Sequence, residues 1–424
     1  MNPTTHSWFR TFLIVFTSQA FSLLGSSALS FALVWWLTAE TGSATILAYA
    51  SIAALLPQAL LGPIAGPFVD RWDRRLTIMG ADLFVAATSL VLIGVFTAGE
   101  PSVAVIIAVI AARSVGAAFQ TPASQAAVPM YVPSDQLMRV AGWNFFLGSG
   151  VAMAAPVLGA FLMGVAPMQA IIAVDVVGAL IAVALMMLVR IPNPERAEND
   201  PVGSGLVAEF RVGWRELVRN RGLLDLTLVL IVVTLLYMPI NALFPLMTKA
   251  HFGGGALQAS LVELAFGAGM LAGSLAIGSL SARFSGVRLI SSGLVLIGAM
   301  IGLAGLLPTT AFWAFAVLSV GMGFSAPLFG APITAMFQTL IDPAKLGRVM
   351  SLYMTLTMLV APIGLLLAGP LAEKTGVAVW FALTGVLIVG CAAVALAVPA
   401  IRALDEAMSP SEAVTECEPA TNEA

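Results

Sequence analysis

Runs of about twenty apolar residues, each closed by Pro, Gly or a burst of charge, recur along the whole chain. One such run is the length of a single bilayer crossing, and no soluble core can hide this many of them. Twelve are counted, over roughly 12–38, 45–69, 76–97, 102–121, 138–164 and 168–189, then 223–248, 257–281, 288–307, 311–338, 349–371 and 377–400. Composition points the same way. Hydrophobic residues make up 59% of the 424 positions and only 10% are charged, which leaves no polar shell for a soluble domain. The expectation is an all-α membrane protein.

Charge sets the orientation. With the N-terminus inside, sixteen of the 19 Lys and Arg fall on the inner face, Arg113 lies within a span, and only Lys249 and Lys374 fall outside. The positive-inside rule then gives an even number of spans with both ends cytoplasmic, in a bacterial plasma (inner) membrane. The first apolar run is longer than a signal-peptide core and no cleavage site follows it, so it is read as a retained helix. No organellar presequence is read either.

The organisation expected is residues 1–189 as one six-helix bundle, 190–222 as a cytoplasmic central loop with a helical piece near 207–219, 223–402 as a second bundle, and 403–424 as a disordered acidic tail. An internal repeat of about 210 residues supports the two bundles. TPASQAAVPMYVPSDQLMRV from Thr121 matches APITAMFQTLIDPAKLGRV from Ala331, pairing Pro122 with Pro332, Pro133 with Pro343 and Arg139 with Arg348. The stretch GPIAGPFVDRWDRR, Gly62 to Arg75, has an echo in GSLSARFSGVRL, where Gly66, Arg71 and Leu76 pair with Gly278, Arg283 and Leu289. In the first of these, Gly62 and Gly66 have the small-xxx-small spacing that lets membrane helices approach closely.

Several classes are excluded. The basic residues are scattered and the formal charge is −3, which suits neither nucleic acid nor a polybasic membrane arm. Cys391 and Cys417 make no disulfide framework, and with His6 and His251 outside the spans no metal site is expected. No phosphate-binding G-x-x-x-x-G-K-[ST] loop occurs and no His, Asp and Glu cluster marks a membrane enzyme, so no cofactor and no catalytic residue are expected.

These stretches carry a resemblance. The Gly62–Arg75 turn resembles the loop signature of the major facilitator superfamily, RSVGAAF from Arg113 resembles its basic motif in the fourth span, and GSGVAMAAPVLG resembles the exporter motif of the fifth, with Gly150, Pro156 and Gly159. TAETGSA, MGADL, IIAVDVVGA, LVRIPNP, YMPINALFPLM, LVELAFGAGML and LGRVMSL are similar to the macrolide-efflux branch of the drug:proton antiporters. Asp73 departs from the superfamily's usual Gly at that position. The resemblance implies two pseudo-symmetric six-helix bundles and a proton-coupled exporter of amphipathic, macrolide-type drugs, with a monomer as the working unit. A separate ATPase protein as partner is a further implication. An exporter of an endogenous metabolite or siderophore, and a non-transporting receptor or channel, stay open as alternatives.

Intramembrane charge is expensive and marks function by default. Asp82, about 10 Å into the third span at 1.5 Å per residue, Asp175 in the sixth and Glu263 in the eighth are the candidates for proton coupling. An apolar surrounding favours the neutral form of a carboxyl, so that such a group can take up and release a proton. A structural ion pair with Arg113 is the plainer alternative. Gly62, Gly66, Asp70, Arg71, Arg74, Arg75, Arg113 and Arg283 form the candidate gate. The resemblance implies that Asp70 meets the N-terminus of the eleventh span. An acid late in the fourth span, usual in the family as part of a charge relay, is missing, so that Asp82, Asp73 or Asp135 substitutes or the relay is absent. Gln19, Asn144, Phe145, Tyr237 and Asn241 are candidates for the substrate cavity, Pro239 being read as an interruption of the seventh span.

Overall fold

The computed structural model describes residues 5–99, 101–191 and 206–408; within these, the side chains of 5–7, 63–64, 66–67, 69–71, 206–209, 343–344 and 406–408 lie outside the description. The first half comprises α1 (Thr5–Thr41), α2 (Ala44–Arg71), α3 (Arg74–Ala98), α4 (Val103–Tyr131), α5 (Leu137–Val165) and α6 (Met168–Met187). After α7 (Leu206–Arg219) come α8 (Arg221–Leu246), α9 (Ala256–Ser281), α10 (Gly286–Leu306), α11 (Phe312–Leu340), α12 (Pro343–Thr375), α13 (Val377–Ala397) and α14 (Pro399–Met408). Twelve helices among the described residues are long and apolar enough to cross a membrane. The fold is all helical, as the apolar runs require.

Short polar caps start several of them. Ser43, Asp73, Ser102 and Asn220 each accept a backbone N–H of the first turn of α2, α3, α4 and α8. Asp73 thereby has a local role that the usual Gly could not fill: its Oδ1 accepts from Leu76 N at 2.9 Å.

The two halves pair their helices alike. In the first, α2 packs on α4, α1 on α6 and α5, and α3 on α4 and α6; in the second, α9 packs on α11, α8 on α13 and α12, and α10 on α11 and α13. Exchanging the halves maps each pair onto its counterpart, and it also swaps the two main seams between them, α2 against α12 and α5 against α9. The sequence repeat is therefore a structural twofold.

Two ends of the molecule are distinguished by the Arg-rich α2–α3 turn and by the opposite α1–α2 turn, called here the Arg-rich end and the far end. Toward the far end one core serves both halves: Leu29, Leu33 and Leu47 pack in a cluster with Leu236, Phe244 and Phe381. Toward the Arg-rich end each half keeps a core of its own, around Ile78 and Met186 in the first and around Phe337 and Leu352 in the second. The halves are thus joined at the far end.

Three expectations change. Pro239 does not interrupt its span, since α8 runs through it to Leu246. The carbonyl that Pro239 leaves without an amide partner is that of Leu235, and Gly364 of α12 lies against it, where an added Cβ would stand 2.2 Å away. The acidic tail does not begin at 403: α14 continues to Met408, with Leu404 buried and Asp405 Oδ1 accepting from Val287 N at 2.9 Å. Gly62 makes no close helix contact among the described residues, for none of them lies within 4 Å of the Cβ it lacks. The central piece expected near 207–219 is α7, which rests Gly213 on the Arg348 carbonyl and pairs Glu216 with Lys345 at 2.9 Å.

Candidate functional site

One face of α1 carries Ser18, Ser22 and Ser26, spaced four apart and so aligned along the helix. Ser18 donates to the Ala182 carbonyl, Ser22 to Asp82 Oδ1 at 2.7 Å and Ser26 to Asp175 Oδ1 at 2.7 Å. Arg113 and Gln120 stand seven apart on α4, so that this helix, like α1, offers one group to each carboxyl, while α3 carries Asp82 itself and, seven residues on, Ser89. Gln120 donates to Asp82 Oδ1 at 2.6 Å, and Ser89 to Asp175 Oδ2 at 2.6 Å. Glycines let the helices come this close: the missing Cβ of Gly25 would sit 3.1 Å from Asp175 Cα, and that of Gly178 2.8 Å from the Phe21 carbonyl.

The two carboxyls differ in what they receive. Asp175 is 1% exposed and takes both ends of the Arg113 guanidinium, Nη1 to Oδ2 at 2.7 Å and Nη2 to Oδ1 at 3.3 Å, with Ser89 also touching Nη1. A buried carboxylate so paired and hydrogen-bonded is neutralised in place. Asp82, equally buried, has both its donors on Oδ1, and Oδ2 has no partner among the described residues.

Glu263 stands apart from both, on α9 at the seam with α5. It borders a cavity of about 240 Å³ whose walls include Ser149 and Met153 from the first half and Asn241, Phe244, Phe266 and Met270 from the second. Among the described residues no hydrogen bond or ion pair reaches it. Gly267, one turn on, lets Met153 approach, its missing Cβ falling 2.9 Å from Met153 Cγ.

The remaining candidates divide. Asn241 lines the Glu263 cavity. Gln19 and Asn144 line a different one of about 210 Å³ between α1, α4 and α5. Phe145 is 66% exposed, Tyr237 packs against the far-end core, and neither borders these two cavities. In the exporter motif Pro156 is buried, and Gly159 lies against the Ala28 carbonyl of α1, 2.7 Å from where its Cβ would be; Gly150 touches nothing comparable.

Among the described side chains, those of the expected gate reach several separate places. Arg74 Nη1 donates to the Ala126 carbonyl at 2.8 Å, and Arg75 donates through Nε and Nη2 to the Met186 and Met187 carbonyls at 2.9 Å each. Both tie helices of the first half together, Arg75 at the negative end of α6, where a cation is favoured. Arg113 serves Asp175, and Arg283 is an exposed turn residue whose side chain makes no hydrogen bond or ion pair among the described residues. Gly66, Asp70 and Arg71 close α2, their side chains outside the description. No group of three or more His, Cys, Asp or Glu that could hold a metal occurs among the described residues. Ser22, Ser26, Ser89 and Gln120 were not anticipated, although the spacings of four and seven carried the signal.

The sequence profile of the Major Facilitator Superfamily matches residues 15–262 and 226–416. The chain belongs to the major facilitator superfamily. Within it, the chain is 39% identical to Macrolide efflux protein A of Streptococcus pyogenes over 402 residues, 94% of this chain and 98% of that protein. It is 28% identical to the Multidrug efflux pump Tap of Mycobacterium tuberculosis over 93% of its own length and 94% of the pump's. Among solved structures the nucleoside transporter NupG matches with a TM-score of 0.71 at 12% identity, covering 91% of this chain and 98% of that one, which shows the shared fold. In superfamily terms, the α5–α9 seam that holds Glu263 is the junction of the fifth and eighth spans.

Proposed function

We propose that this superfamily member is a secondary exporter of amphipathic compounds, macrolide-type drugs foremost, that works as a monomer by alternating access and is driven by inward proton flow. The observation that carries the reading is Glu263, a carboxyl without a partner among the described residues, in a cavity with mostly apolar walls. Charge there is costly unless a proton or a cation joins it. The cavity is walled by both halves, so rocking one half against the other changes what surrounds Glu263. A group that binds a proton in one arrangement and gives it up in the other is enough to couple two fluxes. The names of the relatives support efflux as the direction and macrolides as the substrate class.

The Arg-rich end faces the cytoplasm in this reading, with both chain ends on that side of a bacterial plasma membrane. The shape described, with one core at the far end and two at the Arg-rich end, then corresponds to the state closed toward the outside. The test is drug flux in liposomes containing the purified protein, with and without a pH gradient. Uphill macrolide flux that vanishes when the gradient is collapsed is expected; flux indifferent to it removes proton coupling, and no macrolide flux at all removes the substrate class.

A further inference from the structure

The cavity between α1, α4 and α5 differs in chemistry from the one at Glu263. Its polar wall is made of amides and hydroxyls, Gln19, Gln120, Gln125, Asn144, Thr121 and Ser124 among them, and no charged side chain among the described residues borders it. At about 210 Å³ it holds the volume of about seven waters at ~30 Å³ each, comparable to one sugar ring. Gln19 is 92% buried by its 8% exposure, yet its Nε2 has no partner among the described residues. A buried amide N–H left unmet is costly and calls for an acceptor. Neutral donors and acceptors arrayed without charge fit an uncharged, hydroxyl-bearing ligand group.

We infer that this amide-lined cavity is a ligand site, for the uncharged hydroxyl-bearing part of the exported molecule, and that Gln120 transmits the state of Asp82 to it. Gln120 borders the cavity and also donates to Asp82 Oδ1, so it stands between the two. While Asp82 is ionised it accepts, which holds the Gln120 Nε2 toward it and leaves the amide oxygen to receive a ligand hydroxyl. A proton added at the free Oδ2 turns that oxygen into a donor, for which Ser22 Oγ and the Gln120 amide oxygen are the acceptors on the groups that already bond the carboxyl. Turning the amide to meet it withdraws that oxygen from the ligand. Ligand and proton therefore exclude one another across one side chain, the relation an exchange of the two requires.

The groups facing Asp82 are few. From α1 it meets Ser22, from α4 Gln120, and from α6 the charge of Asp175, itself paired with Arg113 of α4. Tyr131 of α4 is the titratable group on the cavity wall. The inference takes its ligand from the export reading, so the test separates the two. The purified full chain in lipid discs is titrated with an amphipathic amine drug carrying a neutral sugar, and with the same drug lacking that sugar, in mildly acidic and mildly alkaline buffer.

The ratio of the two affinities measures the cavity alone. It should favour the sugar-bearing drug in the wild type, more so in alkaline buffer, and fall about tenfold in Gln19→Ala and in Gln120→Ala, the worth of one or two hydrogen bonds. Asp82→Asn, neutral at every pH, should hold the ratio at the wild type's acidic value throughout. Gln120→Ala takes a donor from Asp82; Gln19→Ala removes no internal bond among the described residues and keeps the affinity test independent of folding. A ratio unchanged in Gln19→Ala overturns the site, and a pH dependence kept in Gln120→Ala overturns the transmission. Failure of the export reading shows differently, as no energised efflux of either drug by the wild type.

Discussion

Lys249 and Glu373, both from the second half, hold opposite sides of the α1–α2 turn in the first. Lys249 Nζ donates to the carbonyls of Thr38, at 3.2 Å, and of Ala39, where α1 ends. Glu373 Oε2 accepts from Ser43 Oγ at 3.0 Å and from Thr45 N at 3.2 Å, where α2 begins. Cation meets the negative helix end and anion the positive one, with Gly42 at φ 58° making the turn between them. In the alternating access proposed above, both contacts part when the far end opens.

Neutralising either residue should therefore favour the far-end-open state. Glu373→Gln and Lys249→Met are each expected to shift that population by about two- to fivefold, from a helix-end charge worth about 0.3–1 kcal/mol, and less in high salt because Glu373 is exposed. Distance measurements between spin labels on the far ends of α2 and α12 would show it. Unchanged distances in both variants would reduce the contacts to decoration.

Asp175 and Arg113 should behave as structure. Removing one partner leaves the other buried and uncompensated, at a cost of about 3–5 kcal/mol. Asp175→Asn and Arg113→Met are each expected to lower the melting temperature in detergent sharply, and the double variant to lose less than the sum. A single variant that melts like the wild type would return Asp175 to the proton-coupling candidates.

The twelve spans and the twofold were legible because each rests on local patterns: run length, punctuating Pro and Gly, and paired motifs such as Pro122 and Pro332. Partner choice was not. Ser22 lies 60 positions from Asp82 and Gln120 lies 38 from it, so their meeting depends on how α1, α3 and α4 cross. Arg74 and Arg75 belong to a basic cluster at a turn, which has one appearance in sequence whether it reaches across the halves or, as their hydrogen bonds do, back onto α4 and α6. Asp73 is the reverse case, where a local rule, the helix cap, accounts for a departure from the family pattern.

Glu263 should separate from Asp175 in experiment. With no internal partner among the described residues, Glu263→Gln orphans nothing, so the melting temperature should hold while drug export falls at least about tenfold, equivalent to ~1.4 kcal/mol of lost coupling or binding. Efflux from energised vesicles, read beside a thermal melt of the same preparation, decides it. Normal export by Glu263→Gln would take the carboxyl out of the mechanism.

Gly178 and Gly62 offer a matched contrast between a glycine held by packing and one that is not. Valine at Gly178 would place Cβ 2.8 Å from the Phe21 carbonyl and push α1 away from α6. That displacement should also stretch the Ser26 bond to Asp175, so the cost is overpacking of about 1–3 kcal/mol plus the loss of a buried hydrogen bond. At Gly62 nothing lies within 4 Å of the added atom, and alanine in a helix gains up to about 1 kcal/mol over glycine. Gly178→Val should therefore melt well below the wild type, and Gly62→Ala at or above it. If Gly178→Val melted with the wild type, α1 and α6 would not be packed as closely as the carboxyl site requires, and the serine ladder on α1 would lose its anchor.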